Sequence, residues 1–259
     1  MNEIAAKKSR THGVYRRRIV LHADGARVFA ALEDDFHHMY VDLLHDGTTV
    51  TRMHSRTLRI PRSTCPGAVE RLREFAGMGL AEGSGALDAR QHCTHLFDIA
   101  KLAMAHARRG GRREYAIAVP DPVDKITRAE LRRDGQLVLA WELHGSRIAA
   151  PEPFTGCELF DKVDWKHFNP DAYEAAMILR RGVWISYGRS TATKIARMKA
   201  SGQPFQTVAM PTSLKGACYS HQPEHLHTSV QLDASTIDFS ERPDRLLAEL
   251  VPGALPAAW

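Results

Sequence analysis

No apolar run in this sequence approaches the ~20 consecutive apolar residues that a membrane-spanning helix requires. The N-terminus, Met1-Asn2-Glu3-Ile4-Ala5-Ala6-Lys7-Lys8-Ser9-Arg10, also lacks the apolar stretch of a secretory signal. A cytoplasmic protein with no membrane partner is therefore expected. Cysteine is sparse: four residues at 65, 93, 157 and 218 form no CxxC pair, so a disulfide framework is not expected. What remains for each cysteine is metal binding, nucleophilic chemistry or plain burial. Aromatics make up 7% of the chain, and none interleaves with the basic clusters Arg16-Arg17-Arg18, Arg108-Arg109-Gly110-Gly111-Arg112-Arg113 or Arg180-Arg181. A single-strand nucleic-acid surface needs that interleaving, so the net charge of +5 reads as a solvated face, or as preference for an anionic small molecule, with no nucleic-acid partner. There is no Gly-x-Ser-x-Gly elbow and no His-Glu-x-x-His pair, which removes the common serine hydrolase and metalloprotease plans. Gly83-Ser84-Gly85 and Arg109-Gly110-Gly111-Arg112 lack the strand-then-helix context of a phosphate loop and read as turns. No internal repeat or low-complexity tract occurs.

Apolar residues form 44% of the 259, enough for an ordinary core. Tyr15 to Leu21 suits a strand, and Gly25 to Leu32 a short helical turn. Phe36 to Leu44 and Thr48 to Met53 flank His45-Asp46-Gly47, the turn chemistry of a β-hairpin, with Arg56 to Ile60 as a further strand. On the first hairpin strand His37, Met39, Val41 and Leu43 share one face, and His38 lies on the other. Cys65 precedes Pro66 at a helix opening that Gly77 would close, and Cys93 opens an amphipathic helix ending before Gly110-Gly111. Glu114 to Val119, Thr127 to Arg133 and Gln136 to His144 form a β-meander turning at Asp134-Gly135. After the linker-like Pro151-Glu152-Pro153-Phe154-Thr155-Gly156, Asn169-Pro170-Asp171 opens a helix from Ala172 to about Lys199, interrupted at Tyr187-Gly188. Ser240 would cap a last helix through Leu250. The expected class is α+β: a core with a small antiparallel sheet and helices at 14–110, a meander extension at 111–150, and a mainly helical C-terminal part at 151–259, belonging to the same structural unit or following it.

Chemistry concentrates in the N-terminal half. Asp35 and His37 are two apart at a strand start and point to one side, while Cys65 and Cys93 each sit at a helix N-terminus, where the macrodipole favours thiolate. Asp35, His37, Cys65 and Cys93 are therefore the candidate ligands of one metal ion, with zinc first and another divalent transition metal as the alternative. Taken singly, each is also explained by burial or turn capping. Nearby His95 and His38 are the candidates for moving a proton, His95 foremost because it stands two residues past Cys93. In the C-terminal half Tyr219, His221, Trp184 and Arg189, with Trp165 and Tyr187, offer aromatic walls and polar anchors for a small anionic or aromatic substrate.

The run Asp35-Phe36-His37-His38-Met39-Tyr40-Val41-Asp42-Leu43-Leu44-His45-Asp46-Gly47, the cysteine opening a helix at 65, and Arg90-Gln91-His92-Cys93-Thr94-His95-Leu96 resemble the NifU/SufU family of iron–sulfur scaffold and zinc-containing sulfur-transfer proteins over roughly residues 16 to 107. In that resemblance Asp35 stands at the first family cysteine, His37 at the family aspartate, and Cys65 and Cys93 at the other two cysteines. Through Glu33-Asp34-Asp35-Phe36-His37-His38, Thr64-Cys65-Pro66-Gly67-Ala68, Cys93-Thr94-His95-Leu96, Cys218-Tyr219 and Ile237-Asp238-Phe239, the whole chain is also similar to a bacterial family known as a domain of unknown function. The resemblance implies a NifU/SufU-like core. The exchange of a thiolate for Asp35 turns the ligand set from clusters toward a single ion.

The function expected is a metal-dependent enzyme of small-molecule catabolism, lyase or hydrolase in type, in which zinc polarises a substrate oxygen and a histidine moves a proton. The alternatives are a sulfur-handling protein, as scaffold or persulfide acceptor, and a non-catalytic module stapled by zinc; a homo-oligomer is compatible with each.

Overall fold

Strand alternation in the first ordered segment sets up two faces. In β1 (Val14–Asp24) Tyr15, Arg17, Ile19 and Leu21 are buried on one side, while Arg16, Arg18 and Val20 point to the other. Gly25, at φ +56°, makes the tight turn into β2 (Arg27–Asp34), so the helical turn expected at Gly25 to Leu32 is a strand. The pairing of Ile19 with Leu32 and of Leu21 with Ala30 accounts for this: tertiary pairing of apolar faces overrides a weak local preference. The hairpin of β3 (His38–His45) and β4 (Val50–Arg59) forms around Asp46-Gly47 as its turn chemistry predicts, and β4 absorbs the further strand expected at Arg56 to Ile60.

The structure is a computed structural model that describes residues 13–82, 87–161, 169–200, 215–232, 235–251, 254 and 256, without the side chains of 190–200. The expected turn at Gly83-Ser84-Gly85 and the expected pocket aromatic Trp165 lie outside the described residues.

Beyond β4 the chain crosses one sheet face through 3-10 turns at Cys65–Ala68 and Glu70–Phe75, in place of the single helix expected there, and through α1 (Thr94–Ala107). Leu96, Ile99, Ala100 and Ala103 recur at helical spacing on α1 and are fully buried, each large apolar side chain stabilising by about 1.5–3 kcal/mol. The chain re-enters the sheet as β5 (Gly111–Pro120), which pairs with β1 from Val14↔Pro120 to Ala23↔Gly111. A meander of β6 (Ile126–Arg133), β7 (Gln136–His144) and β8 (Arg147–Ala150) follows.

The eight strands among the described residues form one antiparallel sheet in the order β4-β3-β2-β1-β5-β6-β7-β8. This overturns the expected α+β class, with its small N-terminal sheet, separate meander and mainly helical C-terminal part: the fold is predominantly β. Two hairpin systems, each legible locally, join edge to edge through β1 and β5, a contact between residues about 100 apart in sequence that no local pattern encodes. Among the described residues the C-terminal part supplies one α-helix, α2 (Pro170–Ala200), continuous through Tyr187-Gly188. α2 packs on the face that carries α1, with Gly182 so close to β5 that an added Cβ would sit 2.8 Å from Ile117 Cγ2. Phe154, in the expected linker, is buried against Trp141, so one core runs from Tyr15 to Val183. The last helix expected at Ser240 to Leu250 is instead a 3-10 turn at Pro243–Arg245, after which Leu247 covers Val20, Phe29 and Ala31 on the opposite face. No helix among the described residues is long and apolar enough to cross a membrane.

Candidate active site

Asp34 ends β2, and the chain reverses over Asp34-Asp35-Phe36-His37, closed by the Asp34 amide donating to the His37 carbonyl at 2.9 Å. The Asp34 side chain organises this turn. Its Oδ1 accepts from the amides of Phe36 and His37, both at 2.8 Å, and lies 3.0 Å from His37 Nδ1. Its Oδ2 accepts from Tyr15 Oη at 2.7 Å and from Arg17 Nε and Nη2 at 3.1 and 2.6 Å. Strand register places Arg17 directly opposite Asp34, and strand parity brings Tyr15 to the same face.

Burial pushes the Asp34 carboxyl up, but His37 and Arg17 outweigh it and hold it well below the usual carboxylate range. An ionised Asp34 is acceptor only, so in this contact it is His37 Nδ1 that carries the proton and donates. Burial, opposed by Arg17, also keeps Tyr15 protonated as a donor. His95, in the first turn of α1, stacks on the His37 ring with centroids 3.7 Å apart and planes at 27°. Burial, then the charges of His37 and Arg17, push the His95 imidazole well below its ordinary range and keep it neutral. Its Nε2 is buried without a hydrogen-bond partner, which costs about 1–3 kcal/mol in desolvation. One ligand atom from each of Asp34, His37 and His95 lies within 4.8 Å of the other two.

The four expected metal ligands do not gather in this way: among the described residues, no group within that reach contains Asp35, Cys65 or Cys93. Asp35 Oδ2 accepts from Arg189 Nη1 at 2.7 Å, and Arg189 also binds Asp238 through Nη1 and Nη2 at 3.1 and 2.9 Å. An expected ligand and an expected substrate contact thus form one ion cluster. Burial, only partly offset by Arg189, raises the Asp35 carboxyl to about 7. Cys93 does sit at the N-cap of α1 with its Sγ 4.0 Å from Met39 Sδ, yet burial pushes its thiol up, so desolvation overrides the macrodipole invoked for a thiolate. Cys65 is buried and accepts from Ser220 Oγ at 3.3 Å. His38 and His95 are not together: on the opposite sheet face His38 Nε2 meets Glu249 at 2.9 Å, with Glu33 and Tyr40 beside it. Trp184 stacks edge-on with Phe160 and under Arg181. Tyr219 packs against His225, and His221 Nδ1 lies 3.4 Å from Cys218 Sγ. A groove of about 430 Å³, lined by Arg16, Arg17, Arg18, Glu114, Glu130 and Arg132 among others, contains none of the residues expected from the sequence, although Arg17 borders it.

Sequence reasoning missed Asp34, Tyr15 and Arg17. The signal for Asp34 was its place at the first position of a turn, three residues before His37, where an Asp side chain ordinarily binds its own backbone. Arg17 was visible as a charge at an inward position of a strand, but its partner depends on register. No family model matches the chain, and no curated protein matches it.

Proposed function

We propose that this protein is an enzyme acting on a small organic molecule, lyase or hydrolase in type, whose proton transfers run through His37. The supporting observation is the Asp34–His37 pair at 3.0 Å, with the His37 ring lying on a neutral, unpartnered His95. Asp34 fixes the tautomer and orientation of His37 through the 3.0 Å contact at Nδ1. Arg17 and Tyr15 hold Asp34 in turn, and His37 Nε2 accepts a proton from a substrate hydroxyl or a water and returns it to the leaving group. Such a positioned base is worth about 10²–10⁴ in rate.

A divalent metal ion, zinc foremost, is the second reading of the same residues, favoured by the three ligand atoms within 4.8 Å and by the orphaned His95 Nε2. Here the fit rests on the imidazoles. Asp34 already takes contacts on both oxygens, so His37 and His95 would hold the ion while Asp34 stands behind His37. The ion would polarise a substrate oxygen.

Incubation of the full chain with a fractionated small-molecule extract tests the proposal. Expected is a compound consumed by the wild type and spared by His37→Ala and Asp34→Asn. Consumption unchanged in His37→Ala, or no consumption at all, overturns it. Chelator-treated protein separates the two readings, since loss of turnover restored by zinc belongs to the metal reading alone.

A further inference from the structure

The groove of about 430 Å³ between β1, β5 and β6 is also lined by Pro243 and Leu246 of the C-terminal segment. Strand register explains the hollow. Arg16 pairs with Ala118 and Ala118 with Glu130, while Arg18 pairs with Ala116 and Ala116 with Arg132. Residues directly opposite one another in a sheet share a face, so two alanines form a floor between longer charged side chains on β1 and β6. Arg18 Nη1 donates to the Leu246 carbonyl at 3.1 Å, which ties the C-terminal wall to β1. Arg17 borders the groove, but its guanidinium goes to Asp34 and the two charges cancel.

Positive charge exceeds negative around this floor. Glu114 is shared by Arg18, through bonds at 2.8 and 2.9 Å, and by Arg112 at 2.9 Å. Glu130 is shared by Arg128 at 3.1 Å and Arg132 at 3.7 Å. Arg16 pairs with no carboxylate among the described residues: its Nη2 approaches the Ser240 carbonyl at 3.5 Å, and its Nε is buried without a hydrogen-bond partner. Apart from the Arg17–Asp34 pair, the lining residues and their ion partners thus set five guanidiniums against two carboxylates. A buried donor without an acceptor is costly, and a bound anion would supply the acceptor.

We infer that this groove binds a small organic anion carrying two or more acidic groups, a phosphate ester or a polycarboxylate, with Arg16 as its anchor. The site does not depend on the function proposed for the Asp34–His37–His95 centre. Guanidinium groups match the oxygens of carboxylate and phosphate alike, so the shared chemistry is the multiply charged oxyanion. A volume of about 430 Å³ suits one small molecule. Ala116, Ala118, Pro243 and Leu246 offer apolar contact to its body, and a cleft lined in excess by one sign of charge concentrates ligands of the other.

The test is calorimetric titration of the full chain at low salt with citrate, inorganic pyrophosphate and acetate. Citrate or pyrophosphate should bind at one equivalent, the tighter of the two naming the acid group. Acetate, with a single charge, should bind at least about tenfold more weakly. Arg16→Gln should weaken binding by about tenfold or more, the loss of one charge-assisted hydrogen bond. Arg90→Gln removes the same charge from a side chain that is 71% exposed elsewhere on the surface, and should change affinity by less than about twofold. No binding of either polyanion at millimolar concentration, acetate binding as tightly as both, or a folded Arg16→Gln that binds like the wild type overturns the inference. A single-stranded oligonucleotide that binds more tightly than citrate and pyrophosphate overturns it too. If Arg16→Gln does not fold, Arg132→Gln, at a half-exposed position, replaces it: binding weakened at least about threefold is expected, and unchanged binding overturns the inference equally.

Discussion

Arg17 on β1 and Asp34 on β2 are direct cross-strand partners, and their side chains meet at 2.6 Å with 2% and 0% of each exposed. An ion pair so deeply buried contributes little net stability by itself, because desolvating both charges offsets most of their attraction. Its consequence lies in what it holds. Asp34 stays ionised beneath His37, and the two-strand register thereby sets the tautomer of an imidazole on the next turn.

Breaking this pair from one side should be costly. Arg17→Ala or Asp34→Ala leaves the other charge buried without its partner, and a loss of about 3–5 kcal/mol is expected by urea denaturation. Arg17→Met with Asp34→Leu, which removes both charges, should recover much of that stability while abolishing any turnover that depends on His37. A single-site loss under 1 kcal/mol, far below that range, would show that the pair is hydrated in solution.

Exchanging His95 for Phe separates stability from function. The ring stack on His37 is kept and the unpartnered Nε2 is removed, so His95→Phe should fold with equal or greater stability, by up to the ~1–3 kcal/mol that an orphaned buried nitrogen costs. Turnover should fall. A destabilised His95→Phe protein with full activity would reassign His95 to the core.

Two buried groups pull the pH dependence of stability in opposite directions. His95 is held below its usual range, so the unfolded chain binds a proton that the folded chain does not, and stability falls as pH drops below about 6.5. Asp35 is raised to about 7, so the folded chain keeps a proton that the unfolded chain has lost, and stability falls as pH rises from about 4 to 7. Denaturation of Asp35→Asn across that window should therefore show the variant gaining on the wild type as pH rises. A constant difference between the two would place Asp35 in solvent.

The seat of α2 depends on the missing side chain of Gly182, where a Cβ would already be 2.8 Å from Ile117 Cγ2. Gly182→Leu should force the helix off β5 and cost about 1–3 kcal/mol, typical of overpacking. The thermal transition would fall accordingly, and a variant as stable as the wild type would mean that α2 shifts freely on the sheet.

Much of the local structure was legible in the residues. Asp46-Gly47 and Asp134-Gly135 specified two hairpins, and the spacing of Leu96, Ile99, Ala100 and Ala103 specified α1 with Cys93 at its cap. Alternation put His37 on the face of Met39, Val41 and Leu43 and His38 on the other, although the strand itself begins one residue later, at His38, and His37 belongs to the turn before it. These signals are short-range, since turn chemistry and side-chain period act within a few residues.

What the tertiary structure alone decided is which of these pieces meet. Pairing of β1 with β5 made one sheet from two meanders, and the register of β1 on β2 chose Asp34 over Asp35 as the partner of His37. Folding of α1 onto that face then brought His95 against His37, while Asp35 went to Arg189 and Cys65 to Ser220 of the C-terminal segment. The sequence determined the candidate chemistry, in the form of a carboxylate-and-histidine run and scattered thiols. Three-dimensional convergence decided the groupings, because a one-residue change in register would turn every side chain of a strand to the opposite face.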